Sequence, residues 1–412
     1  MAPPGVDADR TGGAVGSRRA RWSLLAGASL VSMALAAYEI VPASVTPLVR
    51  TSLGVSDAEA GLLVGVMFGT AAVASLPTGV VLDRTNSRTA VAAAVGLGIV
   101  AGLAGFRAAT AGAFWLLIGT RVLGGIAYVV VWNACIDIVG RSFGPGRRGT
   151  AVGVFTASGP VGFALGQGTG PLVADVAGWP AVFPAYTLVA LVGLVAFWPA
   201  SRGTGRATAT DVPSAAEFVR VVTDRRVWTV GVLGFLAYAL YLFVNSWAPS
   251  YLTDELGLAL ALSGTLVAAF PAVGVVSRVS GGLVSDTLFD GRRRPVVLLA
   301  FVVAAPLVGG FTLLRWVPLV VAALLCAGFF IQLCIGLVFA YVRELVAPAV
   351  AATAVAFLTS VGLAGAFLAP IAAGALIDAV GYPATFALAG AVGGLGVLLA
   401  WFAPEPDAAR GQ

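Results

Sequence analysis

The feature that most constrains this sequence is a series of long apolar stretches separated by short polar breaks. A helix needs roughly 20 apolar residues to cross a bilayer whose hydrocarbon core is about 30 Å thick. Stretches of that length occupy residues 23–46, 60–82, 89–109, 113–139, 149–173, 180–199, 227–250, 261–284, 295–315, 318–342, 350–375 and 382–402. We therefore predict an all-α membrane protein with twelve transmembrane helices.

Composition excludes several classes of protein. Only 10% of the 412 residues are charged, against roughly 25% in an ordinary soluble domain, and histidine is absent. His-based catalytic triads and imidazole metal sites are thereby excluded. A nucleotide-binding Gly-x-x-x-x-Gly-Lys loop is excluded as well, because all 24 basic residues are arginines. We expect no enzymatic activity, no metal and no cofactor, and the scattered arginines do not predict nucleic-acid binding.

The placement of the arginines predicts the orientation. Nineteen would lie on the same side of the membrane as the N-terminus, and only Arg50, Arg107 and Arg315 on the other. Because basic loops tend to stay in the cytoplasm, we expect a multi-pass protein of the plasma membrane with both termini cytoplasmic. Residues 1–21 and 404–412 would be tails, and the first is expected to be disordered because it is rich in Gly, Pro and Asp.

The two halves of the sequence repeat each other at an offset of 203 residues. The offset superposes Gly61 on Gly264, Gly79 on Gly282, Asp83 on Asp286 and residues 178–183 on 381–386. This repeat predicts two six-helix bundles, residues 22–200 and 227–403. Residues 201–226 would form a cytoplasmic linker with a short helix, since Ser214 and Glu217 have the spacing of a capping box.

The segment that follows the second span reads Gly79-Val80-Val81-Leu82-Asp83-Arg84-Thr85-Asn86-Ser87-Arg88. It resembles the loop signature Gly-x-x-x-Asp-Arg-x-Gly-Arg-Arg of the major facilitator superfamily of secondary transporters, with Asn86 in place of the second glycine. Residues 282–286, followed by Arg292, Arg293 and Arg294, are a weaker copy. The resemblance covers residues 22–403 and implies two pseudo-symmetric bundles that alternate access to a central site.

The resemblance also implies gating roles for both copies of this loop, at Gly79, Asp83, Arg84, Arg88, Gly282 and Asp286. Asp83 would accept hydrogen bonds from the N-terminus of the eleventh span near Thr353. Asp286 would do the same at the start of the fifth span near Thr150. The alternative is that these carboxylates merely cap loops.

The fifth span contains Gly159 and Pro160, which resemble the core of a Gly-Pro motif that the superfamily associates with antiporters. Close packing of small residues between helices is the alternative explanation. The motif therefore slightly favours antiport and adds these two residues to the gating candidates.

Two ionisable residues lie deep within spans, Glu39 in the first and Arg121 in the fourth. Unpaired charge is costly in hydrocarbon, which makes such residues functional candidates. Both lie in the outer half of the bilayer at similar depth, so they could pair. The segment 121–125 also resembles a fourth-span motif whose arginine is implicated in proton coupling. We predict that Glu39 exchanges a proton under the influence of Arg121, with a permanent salt bridge as the alternative.

The eighth span contributes Arg278, about two turns inside the membrane. A guanidinium binds carboxylate or phosphate bidentately, so this residue suits an anionic substrate. Alternatively, it satisfies helix-end carbonyls near the gate. Further candidate substrate contacts are Tyr38, Tyr241, Asn133, Asn245 and Gln332, each of which could instead make only an interhelical hydrogen bond. Residues 245–252, followed by Ser277-Arg278, resemble the organic-anion branch of the superfamily.

The sequence thus predicts a monomeric secondary transporter that moves a small organic anion, coupled to protons and without ATP. Glu39, the aromatic residues and the Gly-Pro motif leave a drug or hydrophobic-cation antiporter as the alternative. A non-transporting membrane sensor on the same fold is a minor alternative. The expected partners are the substrate, protons and the lipid bilayer.

Overall fold

The structure, a computed structural model, describes residues 18–204 and 215–406. Within those ranges every regular element is a helix. Ten of the helices are long and apolar enough to cross a membrane. One of them, Ala351–Trp401, has a break at Gly381 and supplies two crossings, and the shorter apolar helix Arg294–Gly309 adds another. The prediction of twelve spans is thereby confirmed.

We number the spans TM1 to TM12. They are TM1 (Arg18–Ser44), TM2 (Asp57–Arg84), TM3 (Ser87–Thr110), TM4 (Phe114–Ser142), TM5 (Pro145–Thr156 and Ser158–Ala177), TM6 (Val182–Ala200), TM7 (Arg225–Asp254), TM8 (Leu260–Ala272 and Gly274–Leu288), TM9 (Arg294–Gly309), TM10 (Val317–Glu344), and TM11 and TM12 (the parts of Ala351–Trp401 before and after Gly381). Short helices Thr46–Leu53 and Ala215–Thr223 follow TM1 and precede TM7.

The start of TM1 differs slightly from the expected end of the N-terminal tail. TM1 begins at Arg18, so residues 18–21 are helical and not part of a tail. The linker region contains the helix Ala215–Thr223, whose Val222 carbonyl accepts a 2.7 Å hydrogen bond from the Trp228 indole of TM7. Residues 1–17, Ser214 and residues 407–412 lie outside the described ranges, so the disordered tail and the capping box stay predictions.

The internal repeat is visible in the backbone. Gly54 and its repeat mate Gly257 both have left-handed φ values, 64° and 63°. Gly178 and its mate Gly381 do as well, at 81° and 78°. A continuous helix of 51 residues would be more than twice as long as the hydrocarbon core is thick, so the turn at Gly381 is what brings TM12 back across. Glycine adopts this conformation without the steric cost of a Cβ.

The spans alternate in direction, so their ends form two faces. We call the face at which TM1 begins and TM12 ends the terminal face. The other, which carries residues 45–56, 111–113, 178–181, 255–259, 310–316 and 381, is the opposite face.

The two halves of the molecule meet mainly toward the opposite face. There, a Cβ on Gly61 of TM2 would lie 2.2 Å from the Pro370 carbonyl oxygen of TM11. A Cβ on Gly264 of TM8 would lie 2.4 Å from the Gln167 carbonyl oxygen of TM5. These two contacts are repeat mates of each other, because both pairs are related by the 203-residue offset. Close helix contact of this kind requires residues without side chains.

The same helices are apart at the terminal face. Gly79 of TM2 and its mate Gly282 of TM8 have no heavy atom within 4 Å of an added Cβ. Gly146, Gly149 and Gly153 at the start of TM5 are equally open. The molecule is therefore closed at the opposite face and open at the terminal face.

Arg121 holds TM4 against TM1 and TM2. Its fully buried guanidinium donates to the carbonyl oxygens of Tyr38 (2.7 Å), Glu39 (2.5 Å) and Leu63 (3.2 Å). The Tyr38 carbonyl lacks its usual helical donor, because the residue four positions later is Pro42. Arg121 supplies the missing hydrogen bond. By binding the main chain at residues 38 and 39, it also fixes where the Glu39 side chain leaves TM1.

Gly61→Ala should push the halves apart at the opposite face, since overpacking costs about 1–3 kcal/mol. We expect a shift toward shorter distances between spin labels at Arg147 and Arg343, which are exposed at the terminal face. Gly264→Ala should behave alike. Gly96→Ala on TM3 is the matched control, because Gly96 is exposed and its Cβ enters open space. Unchanged distances in Gly61→Ala would contradict the contact.

Arg121→Met should lower the unfolding temperature of the purified protein in detergent, since an unsatisfied buried carbonyl costs about 1–3 kcal/mol. Adding Pro42→Ala supplies an N–H for the Tyr38 carbonyl and should recover part of the loss. The coupling energy of this double-mutant cycle is expected at about 0.5–3 kcal/mol.

Pro249→Ala in the Arg121→Met background is the control for that cycle. Pro249 lies inside TM7 and frees a different carbonyl. An equal recovery from Pro42→Ala and Pro249→Ala would refute the role of Arg121 at Tyr38.

Candidate functional site

Arg278 is positioned by a break in TM8 and by close packing against TM10. TM8 ends its first helix at Ala272 and begins the second at Gly274. On the TM10 side, a Cβ on Gly336 would lie 2.4 Å from the Arg278 carbonyl oxygen, so only glycine allows this approach. Arg278 lies about 15 Å along the helix from Leu288, which places it near the middle of the membrane.

The guanidinium of Arg278 has no hydrogen-bonding or ionic partner among the described residues. Its Nε is buried and unsatisfied. Its nearest aromatic neighbour is the Tyr241 ring, with the guanidinium carbon 5.7 Å from the ring centroid. Tyr238 on TM7 and Tyr128 on TM4 both lie within range of its charge, and they belong to different halves. An unpaired cation in such surroundings is a ready receptor for an anion.

An aromatic stack closes the space beside Arg278. Tyr241 lies between Phe163 of TM5 and Phe270 of TM8, with ring centroids 5.7 and 5.6 Å apart and nearly parallel planes. Phe68 of TM2 meets Phe163 edge-on at 6.2 Å. The stack joins helices of both halves beside Arg278.

Glu39 lies on the N-terminal half of the same central region. The residue is 2% exposed, and no hydrogen bond or ion pair within 4 Å involves its carboxylate among the described residues. The alternative of a permanent salt bridge with Arg121 is not formed among the described residues, because that guanidinium is used by three main-chain carbonyls. The influence of Arg121 on proton exchange at Glu39 stays a prediction. Arg121, Tyr128 and Tyr241 all lie within range of the Glu39 charge.

Three further aromatic residues border this region and were missed from the sequence. Tyr128 and Trp132 lie one turn apart on TM4, with ring centroids 6.1 Å apart, and both are half-buried. Tyr238 of TM7 packs against Gly362 of TM11, whose Cβ would meet its ring at 2.8 Å. A seven-residue step from Arg121 to Tyr128 places both on one side of TM4, and this periodicity was the available signal.

Two of the predicted substrate contacts, Tyr38 and Gln332, contact other parts of the protein instead. Tyr38 is fully buried within the N-terminal half, where the Arg121 guanidinium lies 4.7 Å from its ring centroid and Phe183 packs edge-on. Gln332 donates to the carbonyls of Phe270 (2.9 Å) and Pro271 (3.3 Å) beside the TM8 break. It therefore stabilises TM8 rather than facing the central region.

The other two amide candidates, Asn245 and Asn133, differ in their surroundings. Asn245 is fully buried and donates to the Tyr241 carbonyl of its own helix at 2.8 Å. Its own carbonyl, freed by Pro249, accepts a 2.6 Å hydrogen bond from Gln167 of TM5. Asn133 is half-buried on TM4 next to Trp132 and stays a candidate contact.

A network at the opposite face links the two halves and was not predicted. Arg50 pairs with Asp57 of TM2 at 2.5 Å and with Asp254 at the end of TM7. Tyr382 donates to Asp254 at 2.8 Å. Arg50 is one of few arginines on its side, and that rarity was the signal in the sequence.

Asp378, near the end of TM11, adds a second link at the opposite face. Its carboxylate accepts hydrogen bonds from the main-chain N–H groups of Asp57 and Ala58, both at 3.1 Å. A carboxylate at a helix N-terminus satisfies free N–H groups and interacts favourably with the helix dipole. We call Arg50, Asp57, Asp254, Asp378 and Tyr382 the opposite-face latch.

The loop residues predicted to gate the terminal face lie apart in this open state. Asp286 does not face TM5 as predicted. It pairs with Arg293 at 2.6 Å, which also binds Glu344 of TM10 at 2.8 Å, and Thr150 is exposed. The hydrogen bond to Glu344 raises the pKa of Arg293 above its usual value. The open space around Gly282 is the physical reason for the separation.

The remaining gating candidates belong to the N-terminal half. Arg88 stacks on Trp198 at 3.7 Å and donates to the Ser201 hydroxyl, and Arg84 is exposed. Gly159 and Pro160 follow the break in TM5 after Thr156, whose carbonyl the proline leaves without a helical donor. The side chain of Asp83 lies outside the described part of the structure, so its contact near Thr353 stays a prediction.

Comparison with known proteins places these features in a family. A family model described as the Major Facilitator Superfamily matches residues 24–362 and, a second time, residues 289–412. The chain is similar to a solved structure of a bacterial homologue of the human lysosomal transporter Spinster in an inward-facing, unoccupied conformation. That likeness has a TM-score of 0.78 at 17% identity and covers 94% of this chain and 98% of the other.

Three curated proteins are also similar to the chain. The cyanate transport protein CynX of Escherichia coli is 28% identical over 63% of this chain and 66% of its own length. A hexuronate transporter of Bacillus subtilis is 23% identical over 84% and 85%. A probable nitrate/nitrite transporter, NarK2 of Mycobacterium tuberculosis, is 27% identical over 80% and 82%. On the family match and the twelve-span fold, the chain belongs to the Major Facilitator Superfamily.

Proposed function

We propose that this protein transports a small organic anion through alternating access and that Arg278 is the group that binds the anion. The observation that carries the proposal is the guanidinium of Arg278, which lies between the halves without a partner. Cyanate, hexuronate and nitrate, named for the similar transporters, are all anions at neutral pH. Transport accounts for this geometry better than catalysis, because no nucleophile and base face each other there.

Proton coupling would run through Glu39. A buried carboxylate without hydrogen-bond donors is costly in its charged form. A bound anion adds negative charge near it, so anion binding and protonation of Glu39 favour each other through their shared electrostatic field. This linkage supports proton symport, in which the proton and the anion leave together.

A second candidate, a hydrophobic-cation/proton antiporter, is favoured by one observation. Glu39 has no ion-pair partner and lies near aromatic rings, which also suit a lipophilic cation. Arg278 opposes it, because an unpaired positive charge in the same region repels a cation. The anion proposal therefore takes precedence.

The distribution of arginines supports a plasma-membrane protein with its terminal face in the cytoplasm. The conformation described here is then open to the cytoplasm and closed to the outside. In this proposal the opposite-face latch holds the outer gate shut, while the Asp83 and Asp286 loops would close the inner gate in the other state.

Arg278→Met should weaken binding of a transported anion at least ~30-fold, the effect of losing a buried charge pair worth about 2 kcal/mol or more. Arg278→Lys keeps the charge and should lose less. The readout is the anion concentration that gives half of the maximal pH change inside proteoliposomes. Arg107→Gln, which changes an exposed arginine at the opposite face, is the control. A pH change that lipophilic cations cause and anions do not would replace the anion proposal with the antiporter. Ligand binding without accumulation of the ligand would indicate a sensor.

Glu39→Gln tests the coupling separately. The variant should exchange anion across the membrane at equal concentrations but should no longer accumulate it when a proton gradient is imposed. Accumulation that stays fully dependent on pH in Glu39→Gln would show that another group carries the proton.

Asp378→Asn and Arg50→Gln should each loosen the outer gate. Partly exposed ion pairs such as those of Arg50 contribute about 0.2–1 kcal/mol. A carboxylate at a helix N-terminus, such as Asp378, contributes about 0.3–1 kcal/mol, so the ratio of outward-open to inward-open molecules should rise up to about fivefold. Spin labels at Thr110 and Leu313, both exposed at the opposite face, would report longer distances. Arg107→Gln should leave them unchanged, and latch variants that match this control would remove the network from the gate.

A further inference from the structure

The central region offers one positive charge to a ligand, and this limits the charge of the substrate. Away from the span ends, the described arginines are Arg121 and Arg278. Arg121 is used by three main-chain carbonyls and is fully buried. Only Arg278 is left to pair with a substrate, so a second negative charge on the ligand would find no cationic partner in this region. A monoanion fits this balance better than a dianion.

The long amide side chains near this region are not available to bind hydroxyl groups. Gln167, Asn245 and Gln332 all have 0% exposure, and each donates to a main-chain carbonyl. Their unsatisfied oxygens are sealed from any ligand in this state. With these three amides sealed, fewer hydrogen-bond partners remain for the hydroxyl groups of a sugar acid, and each buried unpaired hydroxyl costs binding energy.

The half-buried side chains found near Arg278 are mainly aromatic, with Asn133 beside them on TM4. Tyr128 and Trp132 border the region from the N-terminal half, and Tyr238 borders it from the C-terminal half, all of them half-buried. Tyr241 continues the wall beside Arg278. Aromatic faces bind flat apolar groups by stacking and by burying their area.

We propose that the substrate is a monocarboxylate with a flat apolar body, of the benzoate type. Its carboxylate pairs with Arg278, and its ring lies between Tyr128 and Trp132 on one side and Tyr238 on the other. This inference rests on the proposed anion transport and narrows it. It separates this protein from transporters of sugar acids or sugar phosphates, which need polar groups along the whole ligand.

Binding of four probes to the purified full-length protein, measured by calorimetry, tests this. Benzoate and glucuronate share one negative charge and a six-membered ring but differ in hydroxyl groups. Benzoate and phthalate share the aromatic ring but differ by one charge. Nitrate carries the same single negative charge but has no apolar ring. We expect benzoate to bind at least tenfold more tightly than each of the other three.

Trp132→Ala should weaken benzoate binding at least fivefold and leave nitrate binding unchanged, while Trp132→Phe should retain most of the benzoate affinity. Trp115→Ala is the matched control, since Trp115 is exposed at the start of TM4. Unchanged nitrate binding in Trp132→Ala shows that the protein is folded.

The outcomes separate the two proposals. Equal or tighter binding of glucuronate, phthalate or nitrate overturns the benzoate-type substrate but leaves anion transport standing. Loss of benzoate affinity in Trp115→Ala equal to that in Trp132→Ala also overturns it. Binding of none of the four anions overturns both proposals.

Discussion

A polar group in the membrane must find its partner within the protein, and the hydrogen bonds from Arg121 to the main chain of TM1 and TM2 show how strictly this applies. Pro42 removes a helical hydrogen bond from the Tyr38 carbonyl, and a side chain from another helix replaces it. Within the described spans, Arg278 and Glu39 stand out because these two charged groups, deep in the membrane, have no hydrogen-bonding or ionic partner.

The terminal face and the opposite face of the molecule use repeat-related glycines differently. Gly61 and Gly264, one in each half, allow the helices to touch at the closed face, whereas Gly79 and Gly282 lie in open space at the other. A chain built from two copies of one unit carries both sets of contacts twice. Because each set suits closure at a different face, a rocking motion exchanges one for the other without rebuilding either bundle.

The spans and the repeat could be predicted from the sequence because length, hydropathy and the 203-residue offset are local or self-consistent signals. The central position of Arg278 followed from its depth in TM8. The target of Arg121 could not be predicted, since a guanidinium at that depth can bind a carboxylate or a main-chain carbonyl, and only the packing of TM1 decides. The contacts of Asp286 and Asp378 could not be predicted from the sequence either, because they depend on which face of the molecule is closed.

The hydrogen bond from Gln167 to the Asn245 carbonyl joins helices of different halves. If the halves separate at the opposite face, as the proposed alternating access requires, Gln167 would withdraw with TM5, and Pro249 would leave that carbonyl without a helical donor. A bare main-chain acceptor would then exist in only one of the two proposed states. Water, or a ligand that carries an N–H or O–H group, would take the vacant hydrogen bond, so hydration itself would help to distinguish the two states.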